Sequence, residues 1–262
     1  MADRIKAGLE AQGIDPAKAT VADLKAADEF HTGGLEATEA LLDQLDLKPG
    51  LDVLDIGSGI GGVSRVLASR FEAQVTGVDL TAEFVDTARD LTAMVGLSEQ
   101  ITYHNASATK IPVADASADL ALLIHVGMNI PDKPGVFAEA ARVLRPGGTF
   151  AVFDVMAGKT DGPLVYPLPW STAEDTSFVA PPETYRSAAK AAGFAPVAER
   201  DRTEFANTFM ARAAARVAED GPGPFGVHLM MGPTAKDKMQ NYMANLNAGR
   251  IAPTEMIFRA AQ

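Results

Sequence analysis

Between residues 50 and 155 the chain alternates between short apolar runs and longer amphipathic stretches. The runs at 52–56, 74–79, 100–104, 120–124 and 149–154 predict strands, and the stretches at 62–70, 82–95 and 133–144 predict helices between them. The strands are continuous in Val, Ile and Leu rather than alternating with polar residues. That is the pattern of a parallel sheet covered by helices on both faces. Arg145-Pro-Gly-Gly148 reads as the turn that ends the last of these helices and starts a strand.

The flanking segments are patterned differently. Residues 1–30 read as helical, with capping-box spacing at Thr20 and Asp23 and with Val21, Leu24, Ala27 and Phe30 at helical intervals. They end at His31-Thr-Gly-Gly34, where paired glycines permit a sharp change of direction. A further helix over 35–45 presents Leu41, Leu42 and Leu45 on one side and stops at Lys48-Pro-Gly50. Beyond 160, a helix begins at Pro181-Pro-Glu-Thr-Tyr-Arg186 and runs to Gly193, followed by a strand over 195–200. Helices over 205–219 and 234–247 follow, split by Gly221-Pro-Gly-Pro224, and the chain closes on a strand over 255–260. The second of these helices carries Met239, Tyr242, Met243 and Leu246 at helical spacing. The expected fold is a doubly wound α/β domain with a seven-stranded, mostly parallel sheet. Residues 1–34 form a helical cap, 35–160 the ligand-binding core, and 161–262 a substrate side with a helical lid over the carboxyl edge of the strands.

Composition narrows the chemistry. With 23 basic and 34 acidic residues the net charge is −11, and no Lys/Arg run exceeds one residue. A phosphate backbone needs clustered cations, so nucleic acid and anionic membrane surfaces are not expected as partners. The absence of cysteine excludes disulfides, a thiol nucleophile and a Cys-ligated metal. No ligand spacing among the histidines points to a metal. No apolar run is long enough to span a bilayer, and the first residues have no apolar signal core. A cytoplasmic protein, monomer or homodimer, acting on a small molecule is the expectation.

The chemistry concentrates where the first strand meets the first core helix, at Asp55-Ile-Gly-Ser-Gly-Ile-Gly-Gly62. Glycines in a strand–turn–helix let a ligand approach the backbone with no Cβ in the way. Asp79 ends the next strand about 20 residues on, where a carboxylate can accept from ribose hydroxyls. Gly57, Gly59 and Gly62 also satisfy a dinucleotide pattern, so the glycines alone do not choose between cofactors. Asp55 does, because a carboxylate two residues before the first glycine repels a pyrophosphate and attracts the cationic sulfonium and amine of S-adenosylmethionine.

The series Asp55–Gly61, Val78-Asp79-Leu80, Ala106-Ser-Ala-Thr-Lys-Ile-Pro112 and Leu144-Arg-Pro-Gly-Gly148 resembles the motifs of class I S-adenosylmethionine-dependent methyltransferases, in order, over about 100 residues. The resemblance implies a donor-binding set of Phe30, Thr32, Asp55, Gly57, Ser58, Gly59, Asp79, Leu80, Ser107, Ala108 and Ile124. Ser107 stands where that family usually has an acidic residue against adenine. Its hydroxyl can still meet the adenine amine, and the Ala108 N–H a ring nitrogen, in a weaker contact.

Residues 32–80, with Thr32-Gly-Gly34 and Leu47-Lys-Pro-Gly50, and then Ile130-Pro-Asp-Lys-Pro134, are similar to phosphoethanolamine methyltransferases. In those an Asp and a His four residues apart after strand four, and a Tyr after strand five, serve the phosphobase. This chain has His125, Asn129 and Val155 there, which argues against a phosphobase acceptor. The Asn129 region is also similar to quinone C-methyltransferases and, more loosely, to sarcosine/dimethylglycine methyltransferases.

For catalysis the candidates are His125, Asn129 and His31. His125 reads either as a base or acceptor ligand at the crevice rim, or as a histidine bonded to backbone or cofactor. His31 reads either as a crevice residue or as a helix end of no chemical role, and Asn129 as an acceptor-orienting amide or the cap of the following helix. Tyr166, Trp170 and His228 are the candidates for the acceptor side, where the two aromatics are either pocket walls or loop core. Two alternatives of other classes remain: a nicotinamide-dependent oxidoreductase and a non-catalytic S-adenosylmethionine-binding protein.

Overall fold

The computed structural model describes residues 1–262 apart from Pro222 and Pro224. Strands β1 (Asp52–Ile56), β2 (Gln74–Asp79), β3 (Ile101–Asn105), β4 (Ala118–Ile124) and β5 (Leu144–Ala157) alternate with helices α4 (Gly62–Phe71), α5 (Ala82–Met94) and α6 (Lys133–Val143). Before them lie α1 (Ala2–Ala11), α2 (Val21–Asp28) and α3 (Gly34–Leu42). After them come α7 (Pro182–Ala191), β6 (Ala195–Asp201), α8 (Thr203–Asp220), α9 (His228–Met231), α10 (Ala235–Asn247) and β7 (Ile251–Arg259). The seven strands form one sheet in the order β3-β2-β1-β4-β5-β7-β6. The pairs among β1 to β5 are parallel, and β7 lies antiparallel between β5 and β6. The strand order reverses between β1 and β4, so the crevice at their carboxyl ends is the place where such sheets accept ligands.

Strand alternation divides the core into two layers. Leu54, Ile56, Val78, Leu123, Phe150 and Val152 pack with Val136, Phe137, Tyr185 and Ala188 of α6 and α7. Val53, Val75, Leu122, Ile124, Ala151 and Phe153 pack on the other face with Leu41, Val66, Leu67 and Ala88. Asp55 shares the second face with Val53, which turns its carboxylate toward α4.

Four details depart from the sequence reading. The N-terminal helical segment is broken by a 3-10 turn at Pro16–Lys18, and Phe30 lies beyond the end of α2. Arg145-Pro-Gly-Gly148 is a bulge inside β5 and not a connection before it, since the register jumps from Ala118↔Leu144 to Leu120↔Thr149. Arg145 holds the bulge in place through Asp52 at 2.8 Å and Asp119 at 2.7 Å. The short α9 has no counterpart in the periodicity, and of the expected breaker at 221–224 the two prolines lie outside the described residues.

The N-terminal helices form a cap seated on the glycine turn and on α4. Ile5, Leu9 and Leu24 cluster with Ile60, Leu91 and Phe225, so the cap, the turn and the lid share one apolar patch. Below that patch the fully buried Arg65 donates to Asp28 at the end of α2 (2.8 Å) and to Thr92 (3.2 Å), and Lys25 Nζ donates to the Gly62 carbonyl at 3.1 Å. A guanidinium in a dry interior is tolerable only with its partner present. Asp28→Ala should therefore destabilise the protein by about 3–5 kcal/mol in urea unfolding. Replacing Asp28 and Arg65 together with Leu and Met should recover most of that loss; a single-variant cost below about 1 kcal/mol would show that the pair does not hold the cap.

Candidate active site

The turn after β1 is tied to the neighbouring strand, because the N–H groups of Gly57 and Ser58 both donate to the Val78 carbonyl, at 2.7 and 3.0 Å. Gly57 has φ +75° and a Cβ there would fall 2.2 Å from Val126, so the loop after β4 closes directly on it. Gly59 is a glycine for a different reason: at φ +54° its side faces open space, with nothing within 4 Å of where a Cβ would stand. Its N–H donates to Asp79 Oδ2 at 2.9 Å, while Asp79 Oδ1 accepts from the Thr81 N–H at 2.8 Å. Partial burial raises the Asp79 carboxyl above its ordinary range, opposed by these two N–H groups. Asn105 donates to the carbonyls of Asp79 and Leu80, at 3.0 and 2.9 Å, and so locks the end of β2 to β3. Leu80, beside Asp79, keeps 75% of its surface exposed. Ser107 is partly buried one turn on, its hydroxyl 2.8 Å from Thr109 Oγ1 and accepting from the Thr109 N–H, with Ala108 between them.

Asp55 is 2% exposed and accepts from Ser64 Oγ at 2.6 Å. Burial pushes its carboxyl up to about 6 against that hydrogen bond, and the negative charges of Asp79 and Glu29 add to the rise. Glu29 is the third carboxylate of this group, contributed by the cap. It accepts from His31 Nε2 (2.8 Å), Lys25 Nζ (3.0 Å) and Thr38 Oγ1 (2.9 Å). Burial acts to raise the Glu29 carboxyl, yet His31 and Lys25 outweigh it and bring it down to about 2.

Opposite Glu29, the His31 ring lies 5.7 Å from the ring of His125, and both rest on Phe153, at 6.2 and 4.7 Å. His125 follows β4 with φ +53°, a left-handed conformation uncommon for a residue with a Cβ, and its N–H donates to the Phe153 carbonyl at 2.7 Å. Its Nε2 is buried and finds no hydrogen-bond partner among the described residues. Burial, helped by the charge of His31, holds its pKa well below the usual histidine value, so the ring is neutral at pH 7.

The structure thus links Gly59 to Asp79, Asp55 to the charges of Asp79, Glu29 and His31, His31 to His125, and Gly57 to the loop after β4, with Thr32 buried and Phe30 partly buried in the segment beside them. Asn129 is exposed in a 3-10 turn and does not cap α6; Asp132 does, accepting from the Gly135 N–H at 2.9 Å. Tyr166 and Trp170 pack in an apolar cluster with Val155, Leu168 and Tyr242, and Trp170 donates to Ser177 Oγ at 3.0 Å. His228 begins α9, whose Leu229 and Met230 join the cap cluster, and no described hydrogen bond or ring contact joins it to His31 or His125. Three participants escaped the sequence reading. Glu29 looked like one acidic residue of a helix end, Tyr242 like part of an apolar stripe, and Asp154 like the last residue of a strand. The only signal for Glu29 was its place two residues before His31.

Residues 54–152, which span the glycine turn, Asp79 and the bulge of β5, match the family model described as a methyltransferase domain. Over these residues the chain is similar to methyltransferase domains. The chain is 40% identical over 131 residues, 50% of its length and 47% of the relative's, to dimethylglycine N-methyltransferase of Parasynechococcus marenigrum. It is 34% identical over 174 residues, 66% of its length and 34% of the relative's, to phosphoethanolamine N-methyltransferase 3 of Arabidopsis thaliana. The chain spans about half or less of the length of the curated relatives it matches. Its fold is also that of the Haemonchus contortus phosphoethanolamine N-methyltransferase 2 structure, with a TM-score of 0.77 at 19% identity over 98% of this chain and 61% of that one. The resemblances read from the sequence thus stand at the level of the domain.

The raised pKa of Asp55 makes stability depend on pH with a definite sign. Its folded value of about 6 exceeds the ordinary 3.8, so ionisation of the folded protein costs stability above pH 6, and the cost vanishes below 3.8 where both states hold the proton. Asp55→Asn, which can still accept from Ser64, should stabilise the ligand-free protein on the order of 2–3 kcal/mol at pH 8. The gain should shrink toward nothing as the pH falls from 6 to 4. Thermal melts across that range test it; a gain that grows on acidification would reverse the assignment.

Proposed function

We propose that the protein transfers the methyl group of S-adenosylmethionine to a small-molecule acceptor. The observation that carries this is Asp79, held at the end of β2 by the Gly59 N–H while the open side of Gly59 faces the crevice. That arrangement suits a ribose: the carboxylate keeps lone pairs for two hydroxyls and the glycine lets the sugar approach. Leu80 then offers an exposed apolar face to adenine, and Ser107 and Ala108, in the turn after β3, stand to meet its edge. The amino-acid end of the donor runs the opposite way, past Gly57 and Ser58 toward Thr32, Phe30 and Ile124. Ser58 Oγ is buried beside Gly77 and has no partner among the described residues. Asp55 and Glu29 supply the negative field that a cationic sulfonium and amine call for, and the same field disfavours a pyrophosphate.

The bound donor supplies a methyl group already activated by positive sulfur, so the chain's own task is alignment and exclusion of water. His125 stands at the carboxyl end of β4 with a neutral ring and a free nitrogen, placed to take the proton that an acceptor hydroxyl or ammonium loses. His31, fixed by Glu29, flanks it. Asn129 lies at the exposed rim, where its amide can meet an entering acceptor, and Tyr166 and Trp170 form the apolar wall behind. His228 belongs to the lid side. No helix among the described residues is long and apolar enough to cross a membrane. The acidic, cysteine-free chain fits a cytoplasmic monomer or homodimer acting on a diffusible substrate.

Thermal shift with S-adenosylhomocysteine should rise logarithmically with ligand over Kd, and NAD should give no shift. Asp79→Ala should abolish most of the response to S-adenosylhomocysteine. Stabilisation by NAD in its place would overturn the proposal. With an acceptor found by screening for donor turnover, His125→Asn should keep donor binding and lower kcat by roughly 10²–10⁴; an unchanged kcat would remove His125 from proton transfer.

A further inference from the structure

Thr32 is buried, and its hydroxyl meets a residue 210 positions away: the phenol of Tyr242, on α10, lies 2.7 Å from Thr32 Oγ1. Around this bond the lid is fitted to the Thr-Gly-Gly turn. Phe205 of α8 comes so close over Gly33 that a Cβ there would lie 2.4 Å from its ring, and Phe209 reaches Gly34. Tyr242 itself is enclosed by Val155, Leu168, Ala206 and Leu246, with Trp170 edge-on at 6.3 Å between ring centroids. A phenol sunk in such a cluster has one position for its oxygen. When it donates to Thr32 Oγ1, the proton of Thr32 is directed away from the lid, free for a partner on the crevice side.

We propose that Tyr242 is a positioning residue for the methyl donor. From the lid it sets the rotamer of Thr32, so that lid closure and the grip on the amino-acid end of the donor are coupled through one hydroxyl. This rests on the reading of Thr32 as a donor-binding residue. The apolar contacts of Phe205 hold the turn in place, and the directional bond of Tyr242 decides where its hydroxyl points.

Calorimetry on the full chain, with S-adenosylhomocysteine and with methylthioadenosine, which lacks the amino-acid group, separates this role from simple packing. Tyr242→Phe keeps the ring and removes only the hydroxyl. It should weaken S-adenosylhomocysteine about fivefold and leave methylthioadenosine unchanged. In a Thr32→Val background the same change should add nothing. Thr32→Ser, which keeps the hydroxyl, should bind as the parent does and restore the response to Tyr242→Phe. Equal loss for both ligands, no loss for either, or an independent loss in the Thr32→Val background would overturn the proposal. Failure of the unaltered protein to bind S-adenosylhomocysteine would overturn the donor reading itself, whereas normal binding that ignores Thr32 and Tyr242 overturns the coupling alone.

Discussion

Glu29, Asp55 and Asp79 bring three carboxylates within electrostatic reach of one another at the carboxyl edge of the sheet, and much of the surrounding structure serves to hold them there. Like charges in a poorly hydrated site raise one another's pKa unless hydrogen bonds compensate. Each carboxylate is compensated differently. Glu29 has a histidine and a lysine from its own segment, Asp55 has a serine hydroxyl from α4, and Asp79 has two backbone N–H groups. The result is a graded set, from a fully ionised Glu29 to an Asp55 that titrates near neutrality. A cation placed at this edge would relieve the repulsion that remains.

A second buried polar group supports the loop that carries His125, from the opposite face of the sheet. Asp154 of β5 accepts from Tyr185 Oη and from the Val155 N–H, and Lys133 donates to the carbonyls of Ile130 and Phe178, at 2.7 Å each. Burial pushes the Asp154 carboxyl up to about 7, with Tyr185 and Lys133 opposing, and the same burial lowers Lys133. Gly127 fits directly over this group, since a Cβ there would strike Asp154 Oδ2 at 2.2 Å. The left-handed turn at His125 is thereby held between Phe153 above and a polar cluster beneath. A residue in a strained conformation persists when its neighbours over-determine it.

The lid and the cap, although at opposite ends of the chain, meet through Phe225 in the apolar patch, through Phe205 over Gly33 and through Tyr242 at Thr32. The insertion between β6 and β7 therefore completes the cover that the N-terminal helices begin. Two of these contacts adjoin the turns of the crevice edge, at Ile60 of the glycine turn and at Thr32.

The parallel core was legible in the sequence because each of its signals is local. Continuous apolar runs, helical spacing, three glycines with an acidic residue on either side, and Asp79 at the end of a strand all reflect requirements met within about ten residues. Tertiary structure decided what depends on distant partners. Nothing near Glu29 shows that it will be buried against His31, and nothing in the Met239–Leu246 stripe shows that Tyr242 will bond to a turn 210 residues earlier. Asn129 reads as a helix cap from its position, yet Asp132 occupies that role because it stands nearer the first turn of α6. By itself, then, the sequence determined the sheet, the glycine turn with its flanking carboxylates and the sign of the field around it. The packing of the cap and lid over that crevice decided which histidine stays neutral, which carboxylate is held ionised and which hydroxyl is turned inward. Those states arise from burial and from hydrogen bonds between segments that only the folded chain brings together.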